Sequence, residues 1–464
     1  MSQLSTVAGV ILAAGQGTRM KSDLPKGLHS VCGLPMVEWV GRALSAAGVE
    51  KPIVVVGHGG DLVRASLSAA HYDFVEQTER LGTGHAVMMA ADSLSSHSGP
   101  VLVTAGDTPL LSSETLSALV EKFYESGAQA VLATCIVADP TGYGRIVRND
   151  ANQVTGIVED KDCGASQRLI TETNPAVYCF DCQTLLAILP RLKNTNSQGE
   201  YYLTDVIGTL VADGANVEAV TFEDPDQFRG VNDRWQLAEA TEIKRRSILR
   251  RLAESGVTIV DPGSTDIAAD VVIGQDTVVL PNTVIEGNTM IGAGCHIGPN
   301  SWIKHCFIAD ECRVFMSHLE RARMESGSRV GPFSNLRPQA ELKAETKIGN
   351  FVEIKNAVLG PKASVSHLTY LGDAEVGEGT NVGAGTITCN YDGFGKSKTT
   401  IGKNSFVGSN STLIAPVTIG DEAMVAAGSV VSMDVPDGAL ALGRARQENK
   451  EGWFRAWRKK KLER

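Results

Sequence analysis

Hydrophobic positions along the chain follow two rhythms. Up to about residue 230, short apolar runs alternate with longer stretches of helical spacing. Val7–Ala14, Ile53–Gly57, Val101–Ala105 and Val131–Val137 read as buried strands, with helices at Met36–Ala47 and Ser113–Ser126. Such alternation implies a Rossmann-like α/β domain with a mostly parallel sheet covered on both faces. Ligands in such sheets dock at the carboxyl ends of strands. The longest helical pattern spans 233–255. Asp233 and Gln236 are placed to cap its start, and Gly256 ends it. Trp235, Leu237, Ile243, Ile248, Leu249 and Leu252 supply its apolar positions. This segment is expected to be a linker helix.

From residue 267 the rhythm changes. Ile267, Ile273, Val279, Ile285, Ile291, Ile297 and Ile303 recur every sixth position. So do Val330, Leu336, Leu342, Ile348 and Ile354, and then Ile401, Val407, Leu413, Ile419, Val425 and Val431. A helix cannot hold that period, because 3.6 residues per turn does not divide it. Short strands joined by corners can, with each aliphatic side chain pointing inward and coils stacked about 4.8 Å apart. The pattern predicts a parallel β-helix of hexapeptide repeats. It fails near 315–329 and 386–400, where loops to one side are expected. The chain thus reads as a first domain at 1–232, a linker helix at 233–255 and a repeat domain at 256–464 with a basic arm.

Composition sharpens this picture. Single cores rarely exceed roughly 250–300 residues, so 464 residues require more than one domain. The 48 glycines are many for this length, and in the repeat region they often follow the inward aliphatic residue, where corners need them. A net charge of −10 excludes a general nucleic-acid binder, which needs a basic face. No run of about 18 apolar residues is present to span a membrane. Met1–Val10 has neither a basic start nor a long apolar core. A reducing, cytoplasmic setting is expected, with Cys179 and Cys182 as structural thiols in the run AVYCF.

The chemistry begins at Leu12-Ala-Ala-Gly-Gln-Gly-Thr-Arg-Met20, directly after a strand. Gly15 and Gly17 let the backbone approach a phosphate, and Arg19 adds a fixed cation. The loop lacks the third glycine of a Rossmann fingerprint and the G-K-[ST] of a P-loop. Lys26 follows Pro25. Gln77-Thr-Glu-Arg-Leu-Gly-Thr-Gly-His85 is a second glycine-rich loop. Ala105-Gly106-Asp107 closes the third strand, where Asp107 is either a metal ligand or a helix cap. Together these motifs resemble the sugar-1-phosphate nucleotidyltransferase family. With the hexapeptide tail, the chain is similar throughout to the bifunctional N-acetylglucosamine-1-phosphate uridyltransferases/glucosamine-1-phosphate acetyltransferases.

The resemblance implies an N-terminal nucleotidyltransferase head and a left-handed parallel β-helix. Acetyl transfer from acetyl-CoA to glucosamine 1-phosphate would be followed by uridylyl transfer from UTP, releasing pyrophosphate. The product, UDP-N-acetylglucosamine, would feed peptidoglycan and lipopolysaccharide synthesis. In the first head the nucleophile is already an anion, so cations and alignment matter more than a base. Arg19 and Lys26 would meet the triphosphate, and Asp107 with Asn232 would hold Mg²⁺. Leu12, Ala13, Ala14, Gly15, Gly82, Thr83, Ala105 and Gly106 would line the nucleotide, with Gln77 on the uracil edge. Gly144, Glu159 and Asn174 would bind the sugar. Ala105 and Pro175-Ala176 depart from the residues common in relatives.

For the second head, the resemblance assigns His367 as the base that takes a proton from the attacking ammonium. An isolated His would read as structural; within S-H-L-T-Y-L-G-D it reads as catalytic. Arg337 and Lys355 would hold the sugar phosphate, and Tyr370 and Asn381 its hydroxyls. Ala384, Asn390, Tyr391, Ser409, Ala427 and Arg444 would contact acetyl-CoA. Residues 444–464 hold nine Lys/Arg against three Glu with Trp453 and Trp457 interleaved. That arm is expected to pack on a neighbouring subunit of a homotrimer, rather than on nucleic acid or a membrane. The alternative is a single-activity nucleotidyltransferase whose β-helix only oligomerises.

Overall fold

The computed structural model describes residues 6–463. The chain divides into two compact units, one ending at Ser247 and the other beginning at Ile248.

The first unit is built on one ten-stranded sheet. Its strands are β1 (Ala8–Ala13), β2 (Ile53–Val56), β3 (Asp73–Glu76), β4 (Pro100–Ala105), β5 (Ala130–Ile136), β6 (Gly144–Arg148), β7 (Val154–Val158), β8 (Glu172–Asn174), β9 (Tyr178–Asp181) and β10 (Val217–Phe222). Their order is β3-β2-β1-β4-β9-β5-β8-β6-β7, with β10 beside β5. The pairings β3-β2-β1-β4 and β5-β10 are parallel. The sheet is nevertheless mixed, because β9 inserts antiparallel between β4 and β5, and β8 antiparallel between β5 and β6. The AVYCF run is the inserted strand. Successive residues of each central strand point to opposite faces, and both faces are buried. Val10, Val55, Val103, Leu132 and Phe180 pack into one core, and Ile11, Val54, Leu102, Val131 and Cys179 into the other. This is why these strands read as unbroken apolar runs. Cys179 and Cys182 are buried, and burial pushes both thiols up, Cys182 to about 11.

Helix α1 covers Met36–Ala46 and α2 covers Ser113–Ser126. Ser112 caps α2, its hydroxyl accepting from the Thr115 N–H at 3.2 Å. The cap that Asp107 might have supplied is therefore provided by another residue.

Helix α3 spans Arg234–Glu254. Asp233 caps it through the Gln236 N–H at 2.8 Å, and Gln236 Oε1 accepts from the Asn232 N–H at 2.7 Å. Ala240, Ile248, Leu249 and Leu252 are buried along it. Trp235 is not an apolar contact as expected: it is 74% exposed, and its indole donates to Glu239.

The second unit is a left-handed parallel β-helix whose coils form three parallel sheets of eleven, ten and nine strands. Every aliphatic residue of the three six-residue series is buried. Glycine follows them where coils touch: a Cβ at Gly408 would overlap the Ala427 nitrogen of the next coil.

The two breaks in period have different causes. Near 315–329 no loop forms, contrary to expectation. Strands continue at Arg313–Val314, His318–Glu320, Arg323–Met324 and Arg329–Val330, and Val314, Leu319, Met324 and Val330 all stay buried. The sides are shortened by one residue, and His305, Met316 and Arg321 turn the corners at positive φ. The second break is a true insertion, running from Asn390 to Lys398 between strands Ile387–Cys389 and Thr399–Ile401. Among the described residues no helix is long and apolar enough to cross a membrane.

Candidate active sites

The first site opens at the carboxyl ends of β1 and β4. There the Gly106 N–H donates to the Leu12 carbonyl at 2.9 Å, joining the glycine turn to the Asp107 loop. Gly17 has φ +62°, and a Cβ there would lie 2.7 Å from the Lys26 Cβ. This close approach brings Lys26 under the turn. A Cβ at Gly15 would meet nothing within 4 Å, so that backbone faces open space.

Lys26 Nζ donates to an Asp107 carboxylate oxygen and to Asn232 Oδ1, the latter at 2.7 Å. Arg19 Nη2 donates to the same Asn232 oxygen at 2.9 Å. Asn232 is set by the α3 cap described above, and its neighbour Val231 donates to the Asp107 carbonyl at 2.9 Å. Two cations and two hard oxygens thus converge from four separated segments.

Around them lies a cleft of about 450 Å³ lined by Leu12, Ala13, Ala14, Gly15, Arg19, Lys26, Gln77, Gly82, Thr83, Ala105, Gly106, Asp107 and Asn232. Gln77 is buried, and its amide nitrogen donates to the Gly82 carbonyl at 3.1 Å. An adjoining cleft of about 260 Å³ shares Leu12, Thr83, Ala105 and Asp107 and adds Gly144, Glu159 and Asn174. Every residue expected around nucleotide and sugar therefore borders one of two connected hollows.

The smaller hollow is less polar. Glu159 accepts from the Thr204 hydroxyl at 2.9 Å, and burial holds its carboxyl above the usual range, aided by Asp205, Asp162 and Asp160. Asn174 donates to the Tyr178 hydroxyl at 2.7 Å and accepts from the Ala176 N–H at 3.2 Å. Ala176 sits at φ +60°, a conformation that favours glycine, and that Asn174 bond holds it there.

The second constellation lies on the β-helix, along one corner and the sheet beside it. Gly385 N–H reaches the His367 carbonyl at 3.3 Å, Asn410 N–H the Ala384 carbonyl at 2.7 Å and Gly428 N–H the Ser409 carbonyl at 2.8 Å. These bonds stack His367, Ala384, Ser409 and Ala427 on successive coils. Arg444 lies at the top, its Cδ 4.0 Å from where a Gly428 Cβ would be. His367 is exposed. On the adjacent sheet, Arg337 Nη1 donates to Glu353 at 2.7 Å, and Glu353 is in register with Tyr370. Asn381, in register with Ser364, is half-buried. Lys355 faces Lys396 from the insertion, and the hydrogen bond between the two amines, with their like charge, holds its pKa below the ordinary lysine value. Tyr391 is exposed, whereas Asn390 is buried and donates to Asp373.

Comparison with known proteins agrees with both halves. Residues 9–192 match the MobA-like NTP transferase domain family, 270–305 the bacterial transferase hexapeptide family and 398–432 the hexapeptide repeat of succinyl-transferase. The chain is 50% identical over 452 residues to the bifunctional protein GlmU of Geobacillus thermodenitrificans, covering 97% of this chain and 98% of that protein. It belongs to the GlmU family. Identity to GlmU of Brevibacillus brevis is 48%, covering 96% and 97% of the two chains. Identity to GlmU of Carboxydothermus hydrogenoformans is 47%, covering 96% and 100%.

Some residues beside these clusters were not singled out by sequence pattern. Tyr143, Thr204 and Phe228 line the smaller hollow. Arg80 joins the two glycine-rich loops by donating to Gln16 at 2.6 Å. Its place inside the second loop was a usable signal. Lys396 was also legible, as a cation inside the broken repeat.

Proposed function

We propose that this GlmU family member makes UDP-N-acetylglucosamine in two steps, one on each unit. The working division is 1–232 for uridylyl transfer, 233–255 as the connecting helix and 256–464 for acetyl transfer. Homotrimer formation through the β-helix and a cytoplasmic setting complete the reading.

In uridylyl transfer, an oxygen of the sugar 1-phosphate attacks the α-phosphorus of UTP and pyrophosphate leaves. The barrier is anion meeting anion. Arg19 and Lys26 bind phosphate oxygens and offset the charge that accumulates on them. Gly15 and its neighbours present backbone to the phosphates, Gln77 orients uracil, and Gly144, Glu159 and Asn174 hold the sugar. The donor set fits a hard divalent cation. Asp107 and Asn232 aim oxygens at one point, where the Lys26 ammonium now sits. That combination suits Mg²⁺, which keeps water and phosphate oxygens among its ligands. When bound, the ion neutralises phosphate charge.

In acetyl transfer, His367 takes a proton from the ammonium of glucosamine 1-phosphate. The freed amine attacks the thioester carbonyl, the C–N bond forms, the C–S bond breaks and CoA leaves as thiolate. Arg337 and Lys355 bind the sugar phosphate, Tyr370 and Asn381 its hydroxyls, and the column from Ala384 to Arg444 lines acetyl-CoA.

The convergence of Arg19, Lys26, Asp107 and Asn232 beneath the glycine turn carries the reading. Its test is omission: purified protein receives glucosamine 1-phosphate, acetyl-CoA, UTP and Mg²⁺, and each is left out in turn. Pyrophosphate release that does not require acetyl-CoA when glucosamine 1-phosphate is the only sugar would contradict the order of steps.

A further inference from the structure

Asp373 ties together the base of the insertion at 390–398. It turns a corner at φ 49°, a conformation Asp tolerates better than most residues. One carboxylate oxygen accepts from the Asn356 amide of one neighbouring coil and the other from the Asn390 amide of the next. Its N–H donates to the Lys355 carbonyl at 3.1 Å, and its carbonyl accepts from the Thr399 N–H at 3.1 Å. The insertion leaves the coil at Asn390 and rejoins it at Thr399, so both ends are fixed to this residue. The neck is closed by Ser397 N–H on the Asn390 carbonyl at 2.9 Å and by a bridge between Tyr391 and Lys396. Asn390 is only 8% exposed, and Asp373 gives its amide a partner out of water.

We propose that Asp373 is a positioning residue for acetyl transfer, holding Lys396 beside Lys355 and Arg337 so that three cations face one phosphate. The inference rests on the acetyl-transfer reading above. Left alone, the two lysines repel each other. The fixed carboxylate opposes that repulsion, and the geometry of the ladder decides where the loop lysine points. Burial pushes the Asp373 carboxyl up. The amides of Asn356 and Asn390 and the charges of Lys396 and Lys355 outweigh it, so the group stays ionised. Gly372 keeps the space clear, because a Cβ there would lie 2.8 Å from the Asn390 amide nitrogen.

Steady-state kinetics on the full-length protein test this. Asp373→Asn keeps the shape but removes the charge. The KM for glucosamine 1-phosphate should rise about tenfold, the scale of one charge-assisted hydrogen bond. The KM for acetyl-CoA should be unchanged, and inorganic phosphate should weaken as an inhibitor in parallel. Asp373→Glu keeps a carboxylate beside the lysines and should retain most of the wild-type affinity. If Asp373→Asn does not fold, Asn356→Ala removes one rung and should raise the same KM to a smaller extent. An unchanged KM, or a loss confined to kcat with phosphate inhibition intact, overturns the proposal. Wild-type protein that cannot acetylate glucosamine 1-phosphate overturns the underlying reading instead.

Discussion

The Lys26 ammonium is hydrogen-bonded to the carboxylate of Asp107, 81 positions away in sequence. The same ammonium also holds Asn232, so one lysine occupies the point at which both oxygens aim. Binding of a divalent cation and binding of Lys26 at that point exclude each other. A triphosphate that draws the lysine away frees the oxygens.

Lys26→Met should therefore separate metal binding from turnover. With no nucleotide present, Mn²⁺ should bind the variant more tightly than wild type, as read by the paramagnetic signal of the free ion. Uridylyl transfer should fall on the order of 10²-fold, the usual cost of losing one transition-state cation. Mn²⁺ affinity equal to wild type would show that the lysine does not guard the site.

Asp107→Ala should reduce Mg²⁺-dependent pyrophosphate release on the order of 10²–10³-fold while acetyl transfer continues. The substitution leaves α2 intact, because Ser112 caps that helix. A fall in helix content by circular dichroism would contradict this.

His367→Ala should abolish acetyl transfer and spare uridylyl transfer from supplied N-acetylglucosamine 1-phosphate. His367 is exposed, so the melting temperature should stay constant. Wild-type acetylation by the variant would remove His367 as the base.

Glu159 gives a pH-dependent expectation. Its folded pKa lies above the ordinary carboxylate value, chiefly because it is buried. Folding thus disfavours the ionised form, and stability is lost as pH rises from the unfolded pKa through the folded one. Glu159→Gln should raise the melting temperature near neutral pH, and the gain should vanish below pH about 4, where both forms are protonated. The KM for the sugar phosphate should rise at the same time. A gain that persists at acid pH would assign the effect to packing.

Gly408→Ala places a methyl group against the backbone of the next coil. It should cost the β-helix about 1–3 kcal/mol. Calorimetry should show this as a lower melting temperature of the repeat unit, with uridylyl transfer unaffected.

The sequence was most legible where one physical rule acted alone. Six-residue periodicity located the inward residues because a solenoid has one interior and repeats its demand on every coil. The β1 and β4 strands were visible because both of their faces are buried. β9 was seen only as an apolar run; its antiparallel insertion depends on pairing partners that local pattern does not encode. Trp235 misled because its period matched a helix face while its surroundings left it in solvent. The gap at 315–329 misled because period was counted along the chain, whereas burial is counted per coil. Arg19, Lys26, Asp107 and Asn232 were found through motifs, but their convergence required the fold.

The shortened sides at His305, Met316 and Arg321 have a consequence for how such a chain can change. A strand slipped by one residue exchanges its inner and outer faces, but a corner that loses one residue leaves the next inward position in place. Deletions are thus tolerated at corners and ruinous between them. Length variation among sequences of this shape should concentrate at residues with positive φ, and the column leading to Arg444 can remain aligned while the coils beneath it differ in size.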